Sequence, residues 1–303
     1  MPRRSVTIFG TVQGVGFRPH VFRLARRLGL EGFVRNRDGN VQVEVEGDAT
    51  VLDRFLDLLA RDPPHLARIE RVESKPLLPR AESGFRIEPS DTEDDREIHV
   101  APDVATCTAC RDEMLDDANR RFRYPFLNCT QCGPRFTILE ATPYDRERTT
   151  MAGFTLCPEC RREYDDPADR RFHAQPTACA KCGPRLELVD ALGRTATSAD
   201  PLERAIASLQ RGEIGAIKGL GGYHLVCDAT SGRTVAELRR RKGRDSKPLA
   251  VMVADLQSAR ALCDVSPDEG EYLGSWRAPI VLLRRRPSAP VADEVSPRNP
   301  CLG

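Results

Sequence analysis

Apolar positions recur along the first ninety residues in two periods, of two and of about 3.6. RSVTIFGT (4–11) reads as a strand and VQGVGFR (12–18) as a glycine-rich turn, with Pro19 suited to the first position of a helix. Val21, Leu24, Ala25 and Leu28 follow at i, i+3, i+4 and i+7, a helix that Gly29 ends. Residues 32–36 and 41–46 flank Asp38-Gly39, a hairpin signal. Val41, Val43 and Val45 alternate with Gln42, Glu44 and Glu46, giving one buried face. Leu52, Phe55, Leu56 and Leu59 mark a second helix, and residues 69–75 and 85–88 further strands. The order strand-helix-strand-strand-helix-strand predicts a ferredoxin-like sandwich of helices on an antiparallel sheet, over residues 1–90.

The pattern then stops. PSDTEDDRE (89–97) is polar and acidic, and residues 91–104 read as a linker. PYDRERTTMAGF (143–154) reads as a surface segment. Periodicity returns near residue 200. Asp200 caps a helix with Pro201 first inside it and Glu203 at the capping-box position; Leu202, Ala205, Ile206 and Leu209 form its stripe, and Gly212 ends it. Residues 214–218 read as a strand, GLGGYHL (219–225) as a loop, Val235 and Leu238 as part of a helix, and 249–254 and 279–283 as strands. A third, α/β, domain is therefore expected over 198–303.

Composition narrows the function classes. The 303 residues carry 46 Lys+Arg against 45 Asp+Glu, net +1, which argues against a protein built to bind nucleic acid by bulk charge. No apolar run approaches the ~18 residues of a membrane span, and MPRRSVTIFG lacks a signal-peptide core. A cytoplasmic protein without membrane contact is expected.

Eight of the 11 cysteines form four C-x-x-C pairs: Cys107/Cys110, Cys129/Cys132, Cys157/Cys160 and Cys179/Cys182. Two such turns about 15–20 residues apart supply four thiolates to one tetrahedral zinc. A pair of redox dithiols is the alternative. The pairs lie in a repeat: CRDEMLDDANRRFRYPFLNCTQCGPR (110–135) aligns with CRREYDDPADRRFHAQPTACAKCGPR (160–185) at an offset of 50. The zinc-finger region spans 105–189. Two Zn2+ are expected, each supplying folding energy that so small an apolar core does not. Pairing within each repeat is the simpler arrangement, and the spacing also allows outer turns to pair with outer and inner with inner. Cys227, Cys263 and Cys301 follow no pattern.

A glycine-rich strand-to-helix turn followed by Arg18 is a candidate anion cradle, in which the N–H groups of Gln13, Gly14, Val15, Gly16 and Phe17 converge on phosphate oxygens and the guanidinium adds a fork. VQGVGFR, with Asn36 on the next strand, resembles the acylphosphatase signature over residues 4–90. The resemblance implies that loop and Arg18 hold a phosphoryl group and that Asn36 positions the attacking water. His20 and His65 lie outside the matched motif.

KGLGGYHLVCDA (218–229) and RKGRDSKPLAVMV (241–253) resemble a YrdC-type domain, which implies adenylation from ATP with Mg2+, with Lys218, Lys242, Arg244 and Lys247 at the basic nucleotide positions. Three of the chain's five lysines flank this unit, as compact ammonium groups at a triphosphate would. The serial order of all three parts, with RYPFLNCTQCGPRFTI, PYDRERTTMAGF and DRRFHAQPTAC, resembles the HypF carbamoyltransferases. That family implies carbamoyl phosphate and ATP as substrates. It also implies a carbamoyl group passed through carbamoyl-adenylate to the C-terminal cysteine of a HypE-type acceptor, where it becomes a cyanide ligand of NiFe hydrogenase.

The family continues through the rest of the YrdC-like domain and a transfer domain, so the expectation is an N-terminal fragment, truncated in its third domain, that retains acyl phosphate or carbamoyl phosphate hydrolysis. Two rival classes remain at this point: a zinc-ribbon RNA binder, drawing on weak RNA binding by the YrdC-like part, and a non-catalytic scaffold of hydrogenase assembly. A steeply salt-dependent RNA affinity marks the first; loss of acyl phosphate hydrolysis marks the second.

Overall fold

A computed structural model describes residues 1–91, 100–195 and 200–303, in two compact units, 1–184 and 185–303. Much of the 89–97 stretch and of the 91–104 linker lies outside the described residues.

The first unit opens with β1 (Arg3–Thr11), α1 (Phe17–Arg27), β2 (Glu31–Arg37), β3 (Asn40–Glu46), α2 (Ala49–Arg61) and β4 (Arg68–Leu77). Alternation places Val6 opposite Val43 and Ile8 opposite Val41, so a single apolar face forms. α1 lays Val21, Leu24 and Ala25 on that face, and α2 lays Leu52, Phe55 and Leu59. Asp38 (φ 47) and Gly39 (φ 81) both occupy the left-handed region that a tight β2–β3 hairpin requires. The sheet order is β4-β1-β3-β2-β5, where β5 (Phe85–Ile87) runs parallel to β2. The ferredoxin-like sandwich is as the pattern predicts, with one parallel edge strand added. Two adjustments follow. α1 starts at Phe17 behind Gly16, so Pro19 is its third residue and not its first. Beyond β5, Asp91 bridges to Arg37 at the end of β2, and Val100 bridges to Gln13 after β1.

The cysteine region adds α3 (Thr108–Leu115) and α4 (Pro158–Asp165), each beginning directly after the first cysteine of a C-x-x-C pair. It belongs to the same compact unit as the sheet. Phe172 packs on Phe22, with ring centroids 5.3 Å apart, and joins the sheet's core. Its repeat counterpart Phe122 is 44% exposed. The two phenylalanines therefore part ways: the second repeat's enters the sandwich core and the first repeat's does not.

The second unit holds α5 (Pro201–Gln210), β6 (Gly215–Gly219), β7 (Gly222–Val226), α6 (Gly232–Lys242), α7 (Leu256–Leu262), α8 (Pro267–Leu273), β8 (Leu283–Arg284) and β9 (Cys301–Leu302). Asp200 caps α5 through Leu202 N, as its sequence indicates. Two expectations are corrected. Residues 219–225 are largely a strand, because β7 pairs antiparallel with β6. Residues 249–254 and most of 279–283 are not strands. Leu249 N bonds to Val295 O and Val251 N to Gly303 O, two separate partners, so no ladder propagates. The core is small, around Val235, Cys263, Leu283, Val291, Val295 and Leu302. Ile217, Tyr223, Met252, Ile280 and Leu282 are each at least half exposed.

A two-stranded hairpin without a covered face is marginal. Limited trypsinolysis read by mass spectrometry should therefore cut first beyond residue 200 and leave a core of about residues 1–184. A first cut inside α1 or α2 would contradict this. Among the described residues no helix is long and apolar enough to cross a membrane.

Candidate functional site

The phosphate-loop candidate sits where β1 turns into α1. Gly14 (φ 72) and Gly16 (φ 75) have left-handed backbone, and a Cβ on Gly16 would stand 3.2 Å from the Cβ of Thr130. Glycine is thus required twice, by conformation and by close approach. Gly16 caps α1 without a side chain, which leaves the first-turn N–H groups free of a side-chain acceptor. Arg18 follows, only 9% exposed. Its Nη2 donates to the Asp145 carboxylate at 2.7 Å and to Tyr144 O at 3.4 Å, and its Nη1 to Ser90 Oγ at 3.3 Å. Asn36, on β2, is 1% exposed, and neither its Oδ1 nor its Nδ2 has a partner. Each buried polar atom left unpaired costs about 1–3 kcal/mol, so this amide is built to meet something from outside the fold.

Arg18, Asn36 and the loop share one cavity of about 30 Å3, room for about two waters. Its other wall comes from the cysteine region: Thr130, Arg135, Tyr144, His173 and Gln175. The expectation that residues 143–154 lie on the surface holds for Glu147, Arg148, Thr150, Ala152 and Gly153, which are exposed, and fails for Pro143, Tyr144, Thr149 and Met151, which are buried. Tyr144 is 3% exposed, and its N–H donates to Gln13 Oε1 at 3.3 Å. The Arg146 guanidinium donates to Gln175 O, Thr177 O and Phe154 O, so satisfied hydrogen bonds hold the polar start of this segment, while Met151 and Phe154 join the apolar cluster around Tyr124 and Leu127. Arg135, fully buried, donates from Nε to Gly14 O and from Nη2 to Cys129 O and Thr130 O. It ties the phosphate loop to the first cysteine cluster.

Burial, aided by the charge of Arg18, holds His173 down to about 4, so its imidazole is neutral near pH 7 and adds no second cation. Burial pushes the Tyr144 phenol up to about 12. Neither His20 nor His65 lines the cavity. Sequence reading missed Tyr144, Asp145, His173 and Gln175; the first two lie between the repeats, and the last two had one signal. At the offset of 50, Arg123-Tyr124-Pro125-Phe126 of the first repeat faces His173-Ala174-Gln175-Pro176, so the copies diverge where the second meets the cavity.

The cysteines gather within each repeat: Cys107, Cys110, Cys129 and Cys132 in one cluster, Cys157, Cys160, Cys179 and Cys182 in the other. Neighbouring sulfurs stand 3.5–3.8 Å apart in the first and 3.6–3.8 Å in the second. A tetrahedron of Zn–S bonds of about 2.3 Å has S···S edges of about 3.8 Å, so both clusters fit a zinc ion. These separations are far beyond the ~2.05 Å of a disulfide.

The repeats also exchange arginines. Arg120 donates to Cys160 Sγ at 3.3 Å and Arg170 to Cys110 Sγ at 2.9 Å. Arg121 Nε bonds Ala178 O, and Arg171 Nε bonds Asn128 O. Glu163 pairs with Arg120 and Arg121, and Glu113 with Arg170 and Arg171. Every contact recurs at the offset of 50 with the partners reversed, as in a self-complementary dimer interface. Burial raises the Glu163 carboxyl, but its two guanidiniums outweigh that and bring it down to about 2. The arginines place positive charge beside thiolates that would surround a zinc ion, and bond each cluster to the other repeat.

In the second unit Lys218 lies exposed on β6, while Lys242, Arg244 and Lys247 follow one another around the end of α6. Arg244 donates to Lys247 O and Pro248 O, so it shapes this loop. Among the described residues no hydrogen bond joins Lys218 to the other three.

Comparisons with known proteins follow this layout. The acylphosphatase family model matches residues 4–87, the HypF finger model residues 106–139 and 156–189, and the model described as Telomere recombination (Sua5, YciO and YrdC proteins) residues 207–303. An acylphosphatase of Thermococcus kodakarensis is 43% identical over 86 residues, covering 28% of this chain and 93% of that protein. Carbamoyltransferase HypF2 of Cupriavidus necator is 50% identical over 298 residues, 94% of this chain and 37% of the relative. A crystal structure of full-length HypF in its phosphate- and nucleotide-bound form matches at 42% identity and a TM-score of 0.94, over 100% of this chain and 39% of that one. The chain belongs to the HypF family. It spans less than two-fifths of the length of these HypF relatives, and its first 4–87 residues carry an acylphosphatase-family domain.

Proposed function

We propose that the first unit hydrolyses carbamoyl phosphate and that the whole protein is the ATP-dependent carbamoyltransferase of NiFe-hydrogenase maturation. The observation that carries the reading is the meeting of Arg18 and the partnerless Asn36 amide on one small cavity at the 13–17 loop. The loop N–H groups and Arg18 hold the phosphoryl oxygens. Asn36 orients a water in line with phosphorus, whose bond to the carbamoyl oxygen breaks as the new P–O bond forms. Carbamate departs with the electron pair. It is a good leaving group, so positioning and charge stabilisation suffice without a general base. At the YrdC-like part, where Lys218, Lys242, Arg244 and Lys247 face the triphosphate of ATP held with Mg2+, a carbamate oxygen then attacks the α-phosphorus and pyrophosphate leaves, giving carbamoyl-adenylate. In the cytoplasm the cysteine thiol of a HypE-type acceptor takes the carbamoyl group, losing its proton, as AMP leaves. The zinc ions are structural, because all four ligand positions at each are taken by cysteine.

The test is phosphate release from carbamoyl phosphate. Asn36→Ala should lower kcat about 100-fold with little change in KM, since its partner is the water and not the phosphoryl group. Unchanged turnover in that variant would overturn the role given to Asn36.

A further inference from the structure

We infer that Asp145, from the segment between the two cysteine repeats, is a positioning residue for Arg18. The inference rests on the hydrolytic reading of the 13–17 loop.

Arg18 is 9% exposed, and a buried guanidinium needs a fixed counter-charge. Asp145 supplies it, with Oδ1 2.7 Å from Nη2. Asp145 is itself held on both sides. The N–H of Tyr144 bonds to Gln13 Oε1, and the N–H of Arg146 to Gln175 Oε1 at 2.9 Å. Tyr144 is buried against the loop glycine Gly14. Anchored at both neighbours, the half-buried carboxylate is a standing part of the site.

The sign of the charge says what Asp145 is for. A carboxylate beside a phosphate-binding guanidinium weakens attraction for a phosphoryl dianion, so it does not serve affinity. It serves direction. Nη2 is committed to Asp145 and Tyr144 O, which fixes the plane of the guanidinium, while Nη1 carries one long bond, 3.3 Å, to Ser90 Oγ. A phosphoryl oxygen displaces that weak bond and meets a donor already aimed. Without the carboxylate the side chain keeps its charge and loses its aim.

This yields an effect that general loosening would not produce: affinity and turnover move in opposite directions. In the full 303-residue chain with both zincs, Asp145→Ala should lower kcat for carbamoyl phosphate about 10- to 100-fold and lower KM as well, because an anion next to the phosphate has gone. Asp145→Asn loses the same charge but keeps an oxygen acceptor, so it should share the lowered KM and recover kcat to within about 10-fold of the unaltered chain. A raised kcat in Asp145→Ala would mean that the carboxylate blocks the site, and an unchanged kcat that it does nothing there; either overturns the inference. If Asp145→Ala does not retain two zincs, Asp145→Asn decides alone: an unchanged KM overturns the inference. An unaltered chain that releases no phosphate overturns the hydrolytic reading itself, and the inference with it.

Discussion

Arg18→Ala should reduce phosphate release from carbamoyl phosphate by on the order of 1000-fold in kcat/KM, equivalent to about 4 kcal/mol of lost transition-state stabilisation. Arg18 is the charged donor that shares the cavity with Asn36 and the loop, and His173, held neutral, does not replace it. Arg135 also lines the cavity, but its hydrogens go to backbone carbonyls of residues 14, 129, 130 and 132–134. Arg18→Lys should fail nearly as badly, since an ammonium cannot present a planar fork and leaves Asp145 and Ser90 mispaired. The loss must be one of chemistry, not of folding. Zinc content should stay at two per chain and the sandwich's melting transition should move by only a few degrees, because Arg18 belongs to no apolar cluster. A residual rate within about fivefold of the unaltered chain would remove Arg18 from the phosphate site.

How much of this was legible in the sequence depends on what buries each residue. Val41, Val43 and Val45 alternate with polar residues because one face of β3 lies on the core, so hydropathy reads them directly. The C-x-x-C pairs announce themselves because four thiolates must reach one ion, and the structure closes each cluster within its own repeat. Asp38-Gly39 is legible because a two-residue hairpin restricts φ at both positions. The inward part of 143–154 was not legible. Tyr144 and Arg146 are held by bonds to Gln13 and to three backbone carbonyls, and hydropathy counts such a polar stretch as surface. The unequal fates of Phe122 and Phe172 are invisible for another reason. The local sequences are nearly the same, and only docking on Phe22 distinguishes them. Residues 249–254 failed in the opposite way: an apolar run announces a strand whether or not a neighbouring strand is present to complete a ladder.

Cys129→Ser should take the zinc content from two per chain to one, and it should also cost the acylphosphatase-like site about tenfold or more in phosphate release. Separate domains over 1–90 and 105–189 joined by a linker, as the sequence predicts, would imply the contrary, that residues 1–90 are spared. The structure couples the two through backbone. Cys129 and Thr130 stand in the cavity wall. Arg135 holds Cys129 O and Thr130 O with one end of its guanidinium and Gly14 O with the other. Thr130 also bonds Arg170 O, from the repeat that carries the other cluster. Structural zinc binding contributes about 10–16 kcal/mol in small four-ligand modules, more than such a module's own core supplies, so losing the ion frees residues 129–135 and with them the far side of the phosphate loop. The sheet should survive, since its core lies mostly in β1, β3, α1 and α2. The expected outcome is therefore a protein with retained strand content by circular dichroism, one zinc by elemental analysis, and impaired hydrolysis. Full activity at one zinc per chain would show that the cavity wall holds its shape without the metal, and that the finger region merely lies beside the site it lines.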